Sequence, residues 1–124
     1  MNDDKAVQSK SRKFAVRIVK LYKHLCKEHH TYDLFRQILR CGTSIGANIA
    51  EADYAIDKRE FHAKMHISLK ECAETAYWLD LLYETEYLNK DEHENLAADC
   101  HELRKLLSSI TKTTAESFQE KNNQ

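Results

Sequence analysis

Residues 37–52 read QILRCGTSIGANIAEA, and no charged side chain interrupts the run from Cys41 to Ala50. At 3.6 residues per turn, Leu34, Ile38, Cys41, Ile45, Ile49 and Ala52 fall on one apolar seam. Phe35, Leu39, Gly42, Gly46 and Ala50 form a neighbouring strip, and Gln37, Arg40, Ser44, Asn48 and Glu51 a polar third. A helix with so little charged surface belongs largely inside a fold, so this stretch predicts a central helix near 33–53. Both glycines of the chain lie four apart on the second strip. Glycine in a helix interior costs about 1 kcal/mol relative to alanine, and two at that spacing point to a partner backbone passing close by.

Three more helices extend outward from this one. Near 6–28, Val7, Phe14, Ile18, Leu21, Leu25 and, at the margin, Tyr22 share one stripe, while Lys10, Lys13, Arg17, Lys20, His24 and Lys27 line the other side. Near 58–87, Met65, Leu69, Cys72, Ala76, Leu79 and Tyr83 alternate steps of four and three, the spacing of a bundle seam. Ile67, Trp78 and Leu82 fall outside that seam, and an indole is a large apolar surface to leave in water. Either a broader core or a subunit interface covers Trp78, and of the two the interface is favoured. Leu96, Cys100, Leu103, Leu107 and Ile110 repeat the rhythm near 91–117, with Asn89 or Asp91 as cap, and 119–124 is a polar tail expected to fray. Connections this short favour antiparallel neighbours. The expectation is an all-α fold, one up-down-up-down four-helix bundle spanning 1–124.

Composition excludes the main competitors. With no proline and two glycines, the chain lacks the punctuation of a turn-rich β fold. It has no Gly-x-x-x-x-Gly-Lys phosphate loop, no Gly-x-Ser-x-Gly elbow and no Cys-x-x-Cys pair. The opening MNDDKAVQSK is polar where a secretory signal needs an apolar run, and no apolar stretch nears membrane-spanning length. A cytoplasmic protein with no membrane contact is expected, whose Cys26, Cys41, Cys72 and Cys100 stay free.

The net charge of -1 hides an asymmetry. Between Lys10 and Lys27 there are basic residues and no acidic one, whereas Glu71 to Glu102 holds many acids and Lys90 as its single base. Two complementary surfaces on one molecule favour head-to-tail self-association, a heterologous contact that closes into a ring when the rotation permits. The same basic stripe, Lys10, Lys13, Arg17, Lys20 and Lys27, is the candidate nucleic-acid surface.

Candidate chemical centres are weak. His62 and His66 lie one helical turn apart, as metal ligands would, but residue 63 is alanine where a zincin places its glutamate. One cysteine falls on each helix, and Cys41, Cys72 and Cys100 occupy positions where a seam accepts a small apolar side chain. Glu51, Glu71 and Glu74 lack the Glu-x-x-His pattern of di-iron bundles. No metal, cofactor or catalytic residue is therefore assigned. Arg40, Ser44, Asn48, Glu51, Lys70, Glu71 and Glu74 are instead expected to form a polar network that sets register at a helix or subunit contact.

QILRCGTSIGANIAEA, followed by REFHAKMHISLKECAETAYWLDLL, resembles the bacterial four-helix-bundle family of 23S rRNA intervening-sequence proteins. The residues that carry the likeness are Gln37, Arg40, Ser44, Ile45, Asn48, Ile49, Ala50 and Glu51, then Phe61, Ser68, Glu71 and Glu74. It extends more loosely to FAVRIVKLYKHL and to the leucines of the last helix. Ala52 and Cys41 stand where many relatives have Gly and Ser or Ala. The resemblance implies a non-enzymatic homo-oligomeric ring, commonly a homopentamer. The family is also similar to the accessory protein of diversity-generating retroelements, which implies RNA or a reverse transcriptase as partner.

Overall fold

The computed structural model describes residues 2–122, with side chains described from 4 to 118. The chain forms α1 (Asn2–Glu28), α2 (Tyr32–Ala52), α3 (Lys58–Glu84) and α4 (Lys90–Asn122). Sequence neighbours pack against one another and α4 closes back onto α1, while the diagonal pairs, α1 with α3 and α2 with α4, do not approach. This is the expected up-down-up-down order. The segment expected to fray, 119–124, is helical as far as Asn122, and 123 and 124 lie outside the described residues.

Local chemistry sets the ends. The Asp57 carboxylate accepts from the Glu60 amide at 2.9 Å and starts α3. Asn89 starts α4 through a reciprocal box: its Oδ1 accepts from the Glu92 amide at 2.8 Å, and the Glu92 carboxylate accepts from the Asn89 amide at 3.0 Å. α3 ends at Glu84, short of the expected residue 87. Glu86 adopts φ 70°, and the Tyr87 amide turns back to the Leu82 carbonyl at 2.8 Å, a left-handed helix terminus built without glycine. The apolar pattern runs past the end of the helix because Tyr87 and Leu88 still serve the core. The Tyr87 ring meets Phe35 edge-on at 5.1 Å, and Leu88 is buried.

The seam of α3 matches the expectation at Met65, Cys72 and Leu79, while its alternate positions each fall one residue earlier than expected. The buried positions are Met65, Ser68, Cys72, Thr75, Leu79 and Leu82, whereas Leu69 and Ala76 are only partly covered and Tyr83 is exposed. Two hydroxyls occupy core positions because each finds a carbonyl. Ser68 Oγ donates across the helix contact to the Ile45 carbonyl at 2.8 Å, and Thr75 Oγ1 donates to Glu71 O at 2.8 Å. Small side chains there allow α2 and α3 to lie close, and no buried side-chain polar atom among the described residues lacks a partner. Ser68→Ala is expected to cost about 1 kcal/mol through the lost hydrogen bond. Ser68→Leu, which apolar patterning alone would favour, should cost about 1–3 kcal/mol through overpacking. Urea unfolding checks both, and an unchanged midpoint for Ser68→Leu would contradict the close contact.

The glycines fulfil different parts of the close-packing expectation. Gly42 faces the Ile18 side chain of α1, whereas Gly46 lies against the Ser11 backbone. α2 thus presses α1 along the strip that the sequence marked.

Candidate functional site

The expected seven-residue polar network divides into two clusters. Arg40 on α2 reaches Glu71 at 3.4 Å and also pairs with Glu74, both on α3. Glu74 accepts in addition from the Trp78 indole N–H at 3.0 Å, one helical turn along. The second cluster joins Glu51 to Lys64 at 2.6 Å. Lys70, expected in the network, is exposed and stands outside both clusters; the seat beside Glu51 goes to Lys64, earlier on α3. Ser44 and Asn48 bond back along their own helix, to Arg40 O at 2.7 Å and Ser44 O at 2.8 Å. Ion pairs this exposed stabilise little. They join α2 to α3 at two points along the contact.

The basic helix meets the acidic one inside a single subunit. Lys10 pairs with Glu102 at 2.6 Å, and Arg17 pairs with Asp99 while donating to Asn95 Oδ1 at 2.7 Å. The charge complementarity that sequence alone assigned to a contact between copies is thus partly met between α1 and α4. Lys13, Lys20 and Lys27 are exposed at seven-residue steps along α1, and Lys13 borders the same groove as Asp99 and Glu102 of α4.

The histidine and cysteine candidates settle into packing roles. The rings of His62 and His66 stack at 6.2 Å, His62 Nδ1 shares a hydrogen bond with Thr114 Oγ1 of α4, and Phe118 meets the His62 ring edge-on at 5.5 Å. Cys41 is buried and donates to Ile38 O, and burial pushes its thiol up to about 11. Cys72 and Cys100 touch across α3 and α4, and Cys26 is only partly buried. Among the described residues no group of three or more His, Cys, Asp or Glu side chains is placed to hold a metal ion. Likewise, no described helix is long and apolar enough to cross a membrane.

What sequence reasoning missed is apolar surface. Val16 and Val19 on α1 and Ile67 and Tyr77 on α3 are exposed, as are Tyr54 and Ile56 in the α2–α3 connection. Tyr77 packs edge-on against Trp78 at 5.1 Å, and Trp78 itself is half-buried at the edge of the core. α4 contributes no exposed large hydrophobic residue among those described. The available signal was the position of Val16 and Val19 outside the core stripe of α1, obscured by the lysines around them.

The class defined by these features is an antiparallel up-down four-helix bundle whose α2 and α3 are joined by ion pairs and which exposes apolar side chains mainly on α1, α3 and the α2–α3 connection. The family model for the 23S rRNA-intervening sequence protein matches residues 3–109, and the chain belongs to that family. It is similar to a crystal structure, determined at 1.70 Å, of a protein with unknown function from the S23 ribosomal protein family of Bacteroides thetaiotaomicron VPI-5482. The two share 50% sequence identity over 89% of this chain and 98% of that one, with a TM-score of 0.86. No curated protein matches the chain.

Proposed function

We propose that the protein is a non-enzymatic, cytoplasmic oligomeric scaffold that closes into a ring, five being the subunit number that the family resemblance implies. One observation carries this reading: α1 (Val16, Val19) and α3 (Ile67, Tyr77, Tyr83), diagonal in the bundle, carry most of the exposed large apolar side chains of the helices, while α2 adds only Tyr32 at its first residue and α4 adds none among the described residues. A heterologous contact needs two different faces, and a ring needs them on well-separated sides of each subunit. Surface of this kind, rimmed by polar residues, marks association. Trp78, beside Tyr77, stands at the edge of the α3 face. The native mass in solution tests assembly, and charge placed on either apolar face should release monomers.

A second reading rests on the exposed line of Lys13, Lys20 and Lys27, none of which forms an ion pair among the described residues. It gives the scaffold a nucleic-acid surface, with RNA or an RNA-bound reverse transcriptase as partner; Lys10 and Arg17, already paired with α4, contribute less. Replacing Lys13, Lys20 and Lys27 by Glu should then abolish RNA retention at moderate salt and leave the native mass unchanged. Equal retention by the variant would remove this surface from the account.

A further inference from the structure

α3 and α4 bring two thiols face to face. Cys72 Sγ and Cys100 Sγ lie 3.6 Å apart, and each sulfur also reaches the carbonyl oxygen of the opposite cysteine, at 3.3 Å and 3.4 Å. That reciprocity sets the two residues level with each other across the seam. To form a disulfide of about 2.05 Å the sulfurs must close by roughly 1.5 Å, a movement within the reach of side-chain rotation.

We propose that Cys72 and Cys100 are a redox-modification site, at which a peroxide produces an intramolecular disulfide that ties α3 to α4. The hydrogen bond between the two sulfurs holds the Cys72 thiol below its ordinary value and, with burial, pushes the Cys100 thiol up. With Cys100 as the resolving thiol, the first nucleophile is Cys72. Its thiolate attacks one peroxide oxygen, the O–O bond breaks, and hydroxide leaves, giving a sulfenic acid on Cys72. Cys100 sulfur then attacks the sulfenic sulfur, the S–S bond forms, and the sulfenic oxygen departs as water with the Cys100 proton. In sum, two thiols lose two electrons and two protons, and one hydrogen peroxide becomes two waters.

Neither of the other cysteines matches this arrangement. Cys41 donates to its own helix at Ile38 O, and Cys26 is half-buried on α1. Among the described residues, Cys72 and Cys100 are the one pair of sulfurs in contact. Both are buried, at 0% and 2% exposure, so the oxidant enters when the seam opens. Oxidation therefore follows local opening and accelerates in sub-denaturing urea. Once formed, the bond constrains the unfolded chain across a sequence separation of 28 residues and should raise Tm on the order of 10 °C.

The test uses the full, reduced chain, treated with hydrogen peroxide in sub-denaturing urea, then alkylated after denaturation and mapped by mass. The expected product is two hydrogens lighter, keeps alkylatable thiols only at Cys26 and Cys41, links the Cys72 and Cys100 peptides, and returns to the reduced Tm with dithiothreitol. Cys26→Ala should behave in the same way, and Cys72→Ala should form no such bond. If all four thiols stay alkylatable, if Cys72 or Cys100 gains oxygen without a crosslink, or if the bond involves Cys26 or Cys41, the proposal is overturned. The wild-type map decides the matter even if Cys72→Ala fails to fold.

Discussion

Gly42→Ala is expected to destabilise the bundle, although it replaces a poor helix former with the best one. A Cβ added at Gly42 would sit 2.9 Å from both Ile18 Cγ1 and Ile18 Cγ2, and 3.3 Å from Ile18 Cβ. Ile18 is β-branched, restricted to one main rotamer in a helix, and fully buried. It cannot swing aside, so α1 must move off α2. Overpacking of this kind costs about 1–3 kcal/mol, against a propensity gain of about 1 kcal/mol. The net loss should reach about 2 kcal/mol. Ile18→Ala alone should cost about 2–5 kcal/mol by leaving a cavity. Combined with Gly42→Ala it should cost less than the sum by about 1 kcal/mol or more, since the new methyl enters space that Ile18 vacates.

Gly46 supplies the internal control. Its nearest neighbours to an added Cβ are Ser11 Oγ at 3.4 Å and Ser11 O at 3.5 Å, ordinary contacts that require no movement. Propensity then decides the sign, and Gly46→Ala should stabilise by up to about 1 kcal/mol. Urea unfolding of the two single variants should therefore shift the midpoint in opposite directions. Stabilisation by both would mean that α1 and α2 are not in close contact at Ile18.

Ile67→Glu combined with Tyr77→Glu is expected to weaken self-association on the order of a hundredfold while leaving the fold intact. Both side chains are exposed, at 41% and 60%, so charge there costs the isolated subunit little. Burying two carboxylates without partners in a contact between copies costs a great deal. Val16→Glu should have a similar effect from the opposite face of the ring contact. Light scattering against concentration reads the association, and circular dichroism confirms that the helices persist. Unchanged association in both variants would place the contact elsewhere.

The fold was legible because apolar side chains on α2 repeat at helical spacing and nothing in the chain breaks a helix. On α3 the same logic placed Met65, Cys72 and Leu79 correctly and missed the alternate positions by one residue. Ser68 and Thr75 look polar in sequence, but their hydroxyls are satisfied by carbonyls at Ile45 and Glu71 and take core positions beside larger neighbours. Only the placement of α2 against α3 reveals an acceptor for Ser68. The polar cluster was legible in part. Arg40, Glu71 and Glu74 converge as their aligned strips imply, whereas the choice of Lys64 over Lys70 as partner of Glu51 depends on the rotation of α3 about its axis. The charge asymmetry was real, and part of it is used within a single chain. Lys10 and Arg17 meet α4 of their own subunit, and linear sequence cannot distinguish that from a neighbour's α4. Ile67 and Trp78 stood out on α3, whereas Val16, Val19 and Tyr77 escaped notice because single valines and tyrosines among charges read as ordinary surface.

The measurement that bears most directly on the scaffold account is the native mass of the unmodified chain, by light scattering at micromolar concentration and moderate salt. The account predicts one closed multimer whose mass stays constant on further concentration, as a ring requires and an open head-to-tail chain does not. A monomer mass across the micromolar range would contradict it.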